Sequence, residues 1–192
     1  MFGFGQLIGI LKKNPKKIVF TEGEDPRILE ASSRLLASYF LHPILIGDEK
    51  RIADAAEESG FNIRGAEIID PEKFDKIDEM VELYCELRKK KGVTPDQARE
   101  ILKQANYFGT MLVKMGFADS LLGGATYSTA DTVRPALQLI KTKPGNNLVS
   151  SCFILVRPSA TGDNEVLAMG DCAININPTE DDLVEIAGET AK

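Results

Sequence analysis

The chain has 192 residues, 43% of them hydrophobic and 27% charged, a composition typical of globular proteins that fold without disulfides or structural metals. Its net charge of −6 argues against a dedicated nucleic-acid surface, because binding phosphates usually requires a basic domain. The single histidine argues against a His-rich metal site and a Ser-His-Asp triad. The three cysteines lack zinc-site spacing, which favours reduced thiols in the cytoplasm.

The first two thirds of the chain alternate between predicted strands and helices. Short apolar runs indicate the strands, and apolar residues at helical spacing indicate the helices. No segment reaches the roughly 18 apolar residues of a membrane span. The alternation predicts βαβ units and a mostly parallel sheet with helices on both faces. The predicted strands span 17–21, 43–47 and 66–69, and the predicted helices span 4–11, 28–36, 51–59, 76–90 and 95–105, with 107–114 continuing the last helix or beginning another.

A fourth predicted strand, 117–122, leads into a turn of small residues and then into a cluster of hydroxyls. Gly123 and Gly124 allow backbone N–H groups to approach an anion, and the N-terminus of the helix that follows adds partial positive charge. Ligands of parallel α/β folds bind beyond the carboxyl ends of the strands. The sequence therefore predicts a pocket for a phosphate-bearing molecule at this turn.

Pro135 affects where the next helix begins, because proline is tolerated in the first turn of a helix but not in its interior. We expect the regular helix to begin near Asp131, which leaves Ser128 and Thr129 free to face a ligand. The alternative is that these hydroxyls cap the helix.

Two arginines are candidates for holding the anion. The guanidinium of Arg134 has the donor geometry to bind phosphate, but it could equally form an ion pair with Glu22 or Asp25. Arg88 follows the apolar stripe of its helix and could turn inward, whereas the lysines after it are expected at a solvated helix end.

Three acidic residues and one cysteine are further candidates for reactive groups. Glu22, Glu24 and Asp25 could act as a general base or as metal ligands, but no partner cluster supports a metal, and pairing with Arg27 or helix capping is favoured. Cys172 has no histidine nearby in the sequence, so we do not expect a thiolate nucleophile.

The pattern changes after residue 145. Proline, glycine and asparagine at 144–147 indicate a domain boundary, giving an N-terminal αβα domain at 1–145 and the start of a second, incomplete domain at 146–192. In the second part, 147–157 and 165–169 predict an antiparallel strand pair joined by a turn at 158–164. Residues 181–191 predict a final helix.

Six ordered segments make the chain similar to the phosphate acetyltransferase (phosphotransacetylase) family. They cover nearly the whole chain, and the segment containing STADTVRPALQ is the most specific. The segments are FTEGEDPRILEA (20–31), PILIGDE (43–49), IIDPEKFDKID (68–78), ELRKKKGVTPDQA (86–98), YFGTMLVKMGFADSLLGGATYSTADTVRPALQLIKTKPG (107–145) and DCAININPTEDDLVEIA (171–187).

The resemblance implies a three-layer αβα fold of the isocitrate/isopropylmalate dehydrogenase type, a homodimer, and an active site in a cleft between two domains. It implies the reaction of acetyl-CoA and phosphate to give acetyl phosphate and CoA, with CoA as a substrate and no other cofactor. In the family mechanism a carboxylate deprotonates the CoA thiol, which attacks the acetyl carbonyl.

The resemblance also implies roles for individual residues. Arg88 and Arg134 match arginines of CoA and phosphate binding, and Ser128 and Thr129 match a hydroxyl loop beside the cleft. Tyr127 departs from the family, which often has histidine there.

Family chains continue beyond Lys192, and the resemblance places the catalytic groups in that further part. We therefore expect this chain to be an inactive N-terminal part of the enzyme. The alternatives are a phosphate butyryltransferase-like enzyme and a non-catalytic module that binds phosphoanions or CoA. A related dehydrogenase is disfavoured because the sequence lacks G-x-G-x-x-G.

Overall fold

The computed structural model describes residues 4–158 and 164–192. Contacts divide the chain into two compact units, one of them Ile10–Lys141 and the other Thr142–Lys192 with the N-terminal residues up to Gly9. The larger unit contains a sheet of four parallel strands in the order β3-β2-β1-β4. Its strands are β1 (Lys16–Phe20), β2 (Leu41–Ile46), β3 (Glu67–Ile69) and β4 (Ser120–Leu122).

Helices connect these strands. Each parallel pairing requires a crossover, and the chain supplies one helix after β1, one after β2 and three between β3 and β4. The helices are α1 (Phe4–Lys13), α2 (Pro26–Ser38), α3 (Glu49–Glu58), α4 (Ile77–Leu87), α5 (Pro95–Leu102), α6 (Ala105–Lys114) and α7 (Thr129–Pro135).

Successive residues of the central strands pack on opposite faces of the sheet. Val19, Ile44 and Ile46 lie in the core formed with α4, α5 and α6. Phe20 and Leu45 lie in a second core formed with α2 and α3. The sheet is therefore covered on both faces, and the predicted three-layer αβα architecture is confirmed.

Side chains at three helix starts explain where the helices begin. The Asp25 carboxylate accepts a hydrogen bond from Arg27 N at the start of α2, and Asp48 accepts one from Arg51 N at the start of α3. Thr94 and Gln97 form a capping box at α5, directly before Pro95 at its first position. These contacts satisfy backbone N–H groups that have no partner within the helix.

The structure corrects three predicted boundaries. The fourth strand is Ser120–Leu122 and not 117–122, because Phe117 lies in the turn that follows α6, where its N–H donates to Leu112 O at 2.9 Å. The helix α5 ends at Leu102 and not at 105, and 105–114 forms a separate helix, which is one of the two alternatives that the sequence left open. The helix at the hydroxyl cluster begins at Thr129 rather than near Asp131.

The smaller unit contains an antiparallel pair, as predicted, and one helix, but the first strand of the pair begins at Cys152 and not at 147. The predicted turn at 158–164 lies almost wholly outside the described residues. Asp171 organises the following loop by accepting hydrogen bonds from Ser151 N at 3.1 Å and Asn175 N at 2.7 Å. Among the residues described, no helix is long and apolar enough to cross a membrane. The elements are β5 (Cys152–Pro158), β6 (Asn164–Gly170) and α8 (Glu180–Thr190).

Candidate functional site

Two loops meet at the carboxyl edge of the sheet, where the β1–α2 loop contacts the turn after β4. The Glu22 carboxylate accepts hydrogen bonds from Gly124 N at 3.1 Å and from the Thr126 hydroxyl at 2.9 Å, and it also accepts one from Thr126 N. The N–H groups predicted to receive a ligand anion are therefore bound by a carboxylate of the chain itself.

A second contact between the same loops lies beside the first. The hydroxyls of Thr21 and Tyr127 share a short hydrogen bond. A side chain at Gly123 would collide with both hydroxyls, since its Cβ would lie 2.5 Å from Thr21 Oγ1 and nearer still to the Tyr127 oxygen. Burial raises the pKa of Tyr127, so this hydroxyl is protonated at neutral pH.

Arg27 completes the junction. Its guanidinium donates to Ala125 O at 2.8 Å and to the Asp25 carboxylate at 2.6 Å. The hydrogen bonds from Arg27 hold the pKa of Asp25 below its ordinary value. One arginine thus ties the helix cap of α2 to the turn after β4.

The hydroxyl cluster begins α7. Ser128 Oγ accepts from Asp131 N at 3.3 Å and donates to the Asp131 carboxylate at 2.7 Å. For Ser128 the structure therefore realises the capping alternative. Thr129 is exposed as the first residue of the helix, and its hydroxyl makes no hydrogen bond within the described part of the chain.

Pro135 is the last residue of α7, and a side chain of another helix replaces the backbone hydrogen bond that this proline cannot make. Pro135 has no N–H to donate to Asp131 O, four residues earlier, and the Asn106 side-chain amide donates to that carbonyl at 2.7 Å instead. A π-helical turn, Ala136–Ile140, follows. Asn106 belongs to α6, so α7 is anchored to the body of the larger unit.

Arg134 lies in the last turn of α7. Its guanidinium pairs with Asp131 at 3.3 Å, and not with Glu22 or Asp25, the alternatives that the sequence left open. Its side chain is 57% exposed, so this long contact leaves most of its donors facing solvent. Ser128, Thr129 and Arg134 thus belong to one short helix, with the two hydroxyls at its start and the guanidinium in its last turn.

Arg88 is the C-terminal cap residue of α4. Its side chain is partly buried, and its Nε atom is fully buried with no hydrogen-bond acceptor within the described ranges. The inward turn suggested by the sequence therefore leaves a charged donor unsatisfied.

A cavity of about 720 Å³ opens beyond the ends of β1, β2 and β3. Six acidic and three basic side chains line it, and ion pairs join Glu24 to Arg51 at 2.7 Å and Lys73 to Asp70 at 2.8 Å. Because acidic side chains outnumber basic ones there, the cavity disfavours binding of a ligand with several negative charges. The predicted residues Ser128, Thr129, Arg134 and Arg88 do not line it. In the parts described, no cluster of acidic, histidine or cysteine side chains could hold a metal.

Sequence reasoning missed the role of Glu22. The sequence indicates a base, a metal ligand or a partner of arginine at this position. In the structure its carboxylate instead binds a turn more than a hundred residues away. The sequence places Glu22 just beyond the end of β1, but it contains no signal that β1 and β4 are neighbours, and this pairing brings Glu22 to the turn.

Comparisons with known proteins agree over nearly the whole chain. Residues 4–192 match the family model described as "Phosphate acetyl/butaryl transferase". A phosphate acetyltransferase of Bacillus subtilis is 49% identical over 175 residues, which are 91% of this chain and 52% of that protein. One from Staphylococcus aureus is 46% identical over 176 residues, 92% of this chain and 52% of that protein.

Solved structures give the same result. A phosphotransacetylase from Staphylococcus aureus superposes with a TM-score of 0.85 at 41% identity, covering 97% of this chain and 56% of the other. A phosphotransacetylase from Streptococcus pyogenes gives 0.85 at 42% identity with the same coverage. The chain spans about half the length of the relatives named here.

Proposed function

Because this chain belongs to the phosphate acetyl/butaryl transferase family, we propose that it serves the transfer of an acetyl group between CoA and inorganic phosphate. The reaction is acetyl-CoA plus phosphate to give acetyl phosphate plus CoA. The observation that carries the proposal is the family match over residues 4–192. Acetyl transfer is preferred to butyryl transfer because the two curated relatives above are named phosphate acetyltransferases.

Arg134 is the proposed contact for the transferred phosphate. It is permanently protonated and largely exposed, and among the described residues it is held only by a long ion pair with Asp131. The Thr129 hydroxyl begins the same helix and can donate to a phosphate oxygen. The Ser128 hydroxyl can do so only by giving up its bond to the Asp131 carboxylate. Arg88 is the proposed contact for a second anionic group of CoA, since its side chain is only partly buried and its guanidinium makes no hydrogen bond within the described part of the chain.

The proposed chemistry is direct transfer. In the direction that forms acetyl-CoA, the CoA thiolate attacks the carbonyl carbon of acetyl phosphate, a C–S bond forms, the C–O bond to phosphate breaks, and phosphate leaves. The thiol proton passes to a carboxylate base. Positive charge at Arg134 stabilises the leaving phosphate and lowers the barrier.

We assign no catalytic base among the described residues. The carboxylate beside Arg134 is Asp131, which already accepts from the Ser128 hydroxyl and contacts the guanidinium. We therefore propose that these 192 residues bind substrate and do not supply the base. We also propose that the two domains are 1–145 and 146–192.

A homodimer and a cytoplasmic location complete the proposal. All three cysteines are free thiols, which supports a reducing compartment. Light scattering of the purified chain tests the dimer.

The function is tested with the purified chain by calorimetry and by an arsenolysis assay of acetyl phosphate in the presence of CoA. We expect CoA and phosphate to bind without turnover. Failure to bind CoA, phosphate and acetyl phosphate would refute the function. Robust turnover would refute the assignment of only a binding share.

A further inference from the structure

The turn from Gly123 to Thr126 is built like an anion-binding site, yet it already holds an anion. Backbone N–H groups of Gly124 and Thr126 and the Thr126 hydroxyl converge on one carboxylate, that of Glu22. Converging N–H groups of this kind bind phosphate in many proteins. Gly124 and Thr126 are exposed, so the position would be open to solvent without that carboxylate.

The Glu22 carboxylate has two advantages over a dissolved anion. It is partly buried and held within the fold, so it binds the turn without losing the translational freedom that a dissolved phosphate loses. Its negative charge also repels a second anion at contact distance. An external phosphate must therefore displace Glu22 before it can bind these donors.

Neighbouring contacts make displacement harder. The Thr21–Tyr127 hydrogen bond and the bond from Arg27 to Ala125 O fix the turn against the β1–α2 loop on both sides of Glu22. Arg27 also lies close enough to interact favourably with the charge of Glu22. The guanidinium of Arg134, by contrast, has a single long ion pair within residues 4–158 and 164–192.

We propose that Glu22 is a built-in anion that closes the Gly123–Thr126 turn to phosphate groups and directs them to Arg134. Glu22 is then a specificity-determining residue, which excludes substrate phosphate from the donors of the turn. The part concerning Arg134 rests on the proposed function, whereas the closed turn depends only on the contacts of Glu22.

Amide chemical shifts test the closed turn directly. Inorganic phosphate is titrated into the nitrogen-15-labelled chain while the amide signals of Gly124 and Thr126 are followed. In the unmodified chain these signals should stay in place. In Glu22→Ala the vacated donors should bind phosphate, the two signals should move, and the apparent affinity at the turn should rise about tenfold or more, as expected for charge-assisted bonds.

Glu24→Ala is the matched control. It removes a carboxylate from the same loop, but that carboxylate pairs with Arg51 and not with the turn. Its titration should match that of the unmodified chain. Glu22→Gln keeps the shape of the side chain and removes its charge. It should open the turn partly, and it serves as the test if Glu22→Ala does not fold.

The outcomes separate the two proposals. Movement of the Gly124 and Thr126 signals in the unmodified chain, or no gain in either Glu22 variant, overturns the inference. A third outcome separates the roles of the two residues. If phosphate does not shift the Arg134 side-chain signal of the unmodified chain but does shift the Gly124 and Thr126 signals of Glu22→Ala, the closed turn is upheld. The proposed role of Arg134 is then contradicted.

Discussion

The Tyr127 hydroxyl meets the Thr21 hydroxyl directly over Gly123, at the point where β1 and β4 end. The two hydroxyls occupy the space that any side chain at position 123 would need. Gly123 is thus required by its neighbours and not by its backbone angles. The Tyr127 ring and the chain after it are held against β1 by this contact.

Gly123→Ala should lower the free energy of unfolding by about 1 to 3 kcal/mol, the usual cost of overpacking. Urea denaturation measures it. Tyr127→Phe removes one of the two hydroxyls, so the double variant should recover part of the loss. Gly188→Ala is the control, because its methyl group would meet nothing within 4 Å. Equal stabilities of Gly123→Ala and the unmodified chain would contradict the close contact.

Arg134→Ala should weaken phosphate binding by about tenfold to a hundredfold, the value of lost hydrogen bonds to a charged group. Its free energy of unfolding should change by less than about 1 kcal/mol, because an exposed ion pair contributes little. Arg134→Lys should bind with intermediate affinity, since lysine lacks the planar fork of donors. Calorimetry and thermal unfolding measure both effects.

Arg34→Ala serves as the control for charge removal. Arg34 is 79% exposed on α2 and pairs with Glu30 at 2.5 Å, away from the candidate site. If Arg34→Ala and Arg134→Ala weaken binding equally, the effect belongs to net charge and not to a site.

Arg88→Met should separate binding from stability. Methionine fills a similar volume without a buried unsatisfied donor, so the free energy of unfolding should stay constant or rise by about 1 kcal/mol. CoA affinity should fall at least about tenfold as one charge contact is lost. A variant that unfolds more easily but binds CoA normally would give Arg88 a purely structural role.

Asp171→Asn should destabilise the chain at neutral pH and matter less in acid. Hydrogen bonds, first from the Ser151 hydroxyl and then from Asn175, lower the pKa of Asp171 far below its ordinary value. A carboxyl with a depressed folded-state pKa contributes stability above its unfolded pKa of about 4, and this contribution is lost as the pH falls further.

Denaturation of both forms between neutral pH and about pH 2 checks this sign. The difference between them should be constant down to about pH 4 and then shrink. Asp54→Asn, at an exposed position of α3, is the control for removing one carboxylate. A difference that grows in acid would contradict the assignment.

Local patterns were enough to predict most of the larger unit. The apolar runs at β1 and β2 and the helical stripe of α4 indicate their own structures, because burial on a strand or helix face repeats at a fixed spacing. The sequence predicts the start of α7 at Asp131, two residues later than its observed start at Thr129. Sequence reasoning did not include the bond from Asn106, on another helix, which satisfies the carbonyl that Pro135 leaves free.

The sequence by itself determined that a glycine turn, hydroxyls and Arg134 lie at the carboxyl edge of a parallel sheet, since strand order along the chain and apolar spacing are local properties. Only the tertiary structure decided what fills the turn. Glu22 and Thr126 are 104 residues apart in the chain. They meet because β1 and β4 are neighbours in the sheet, and strand neighbourhood depends on how the whole unit packs.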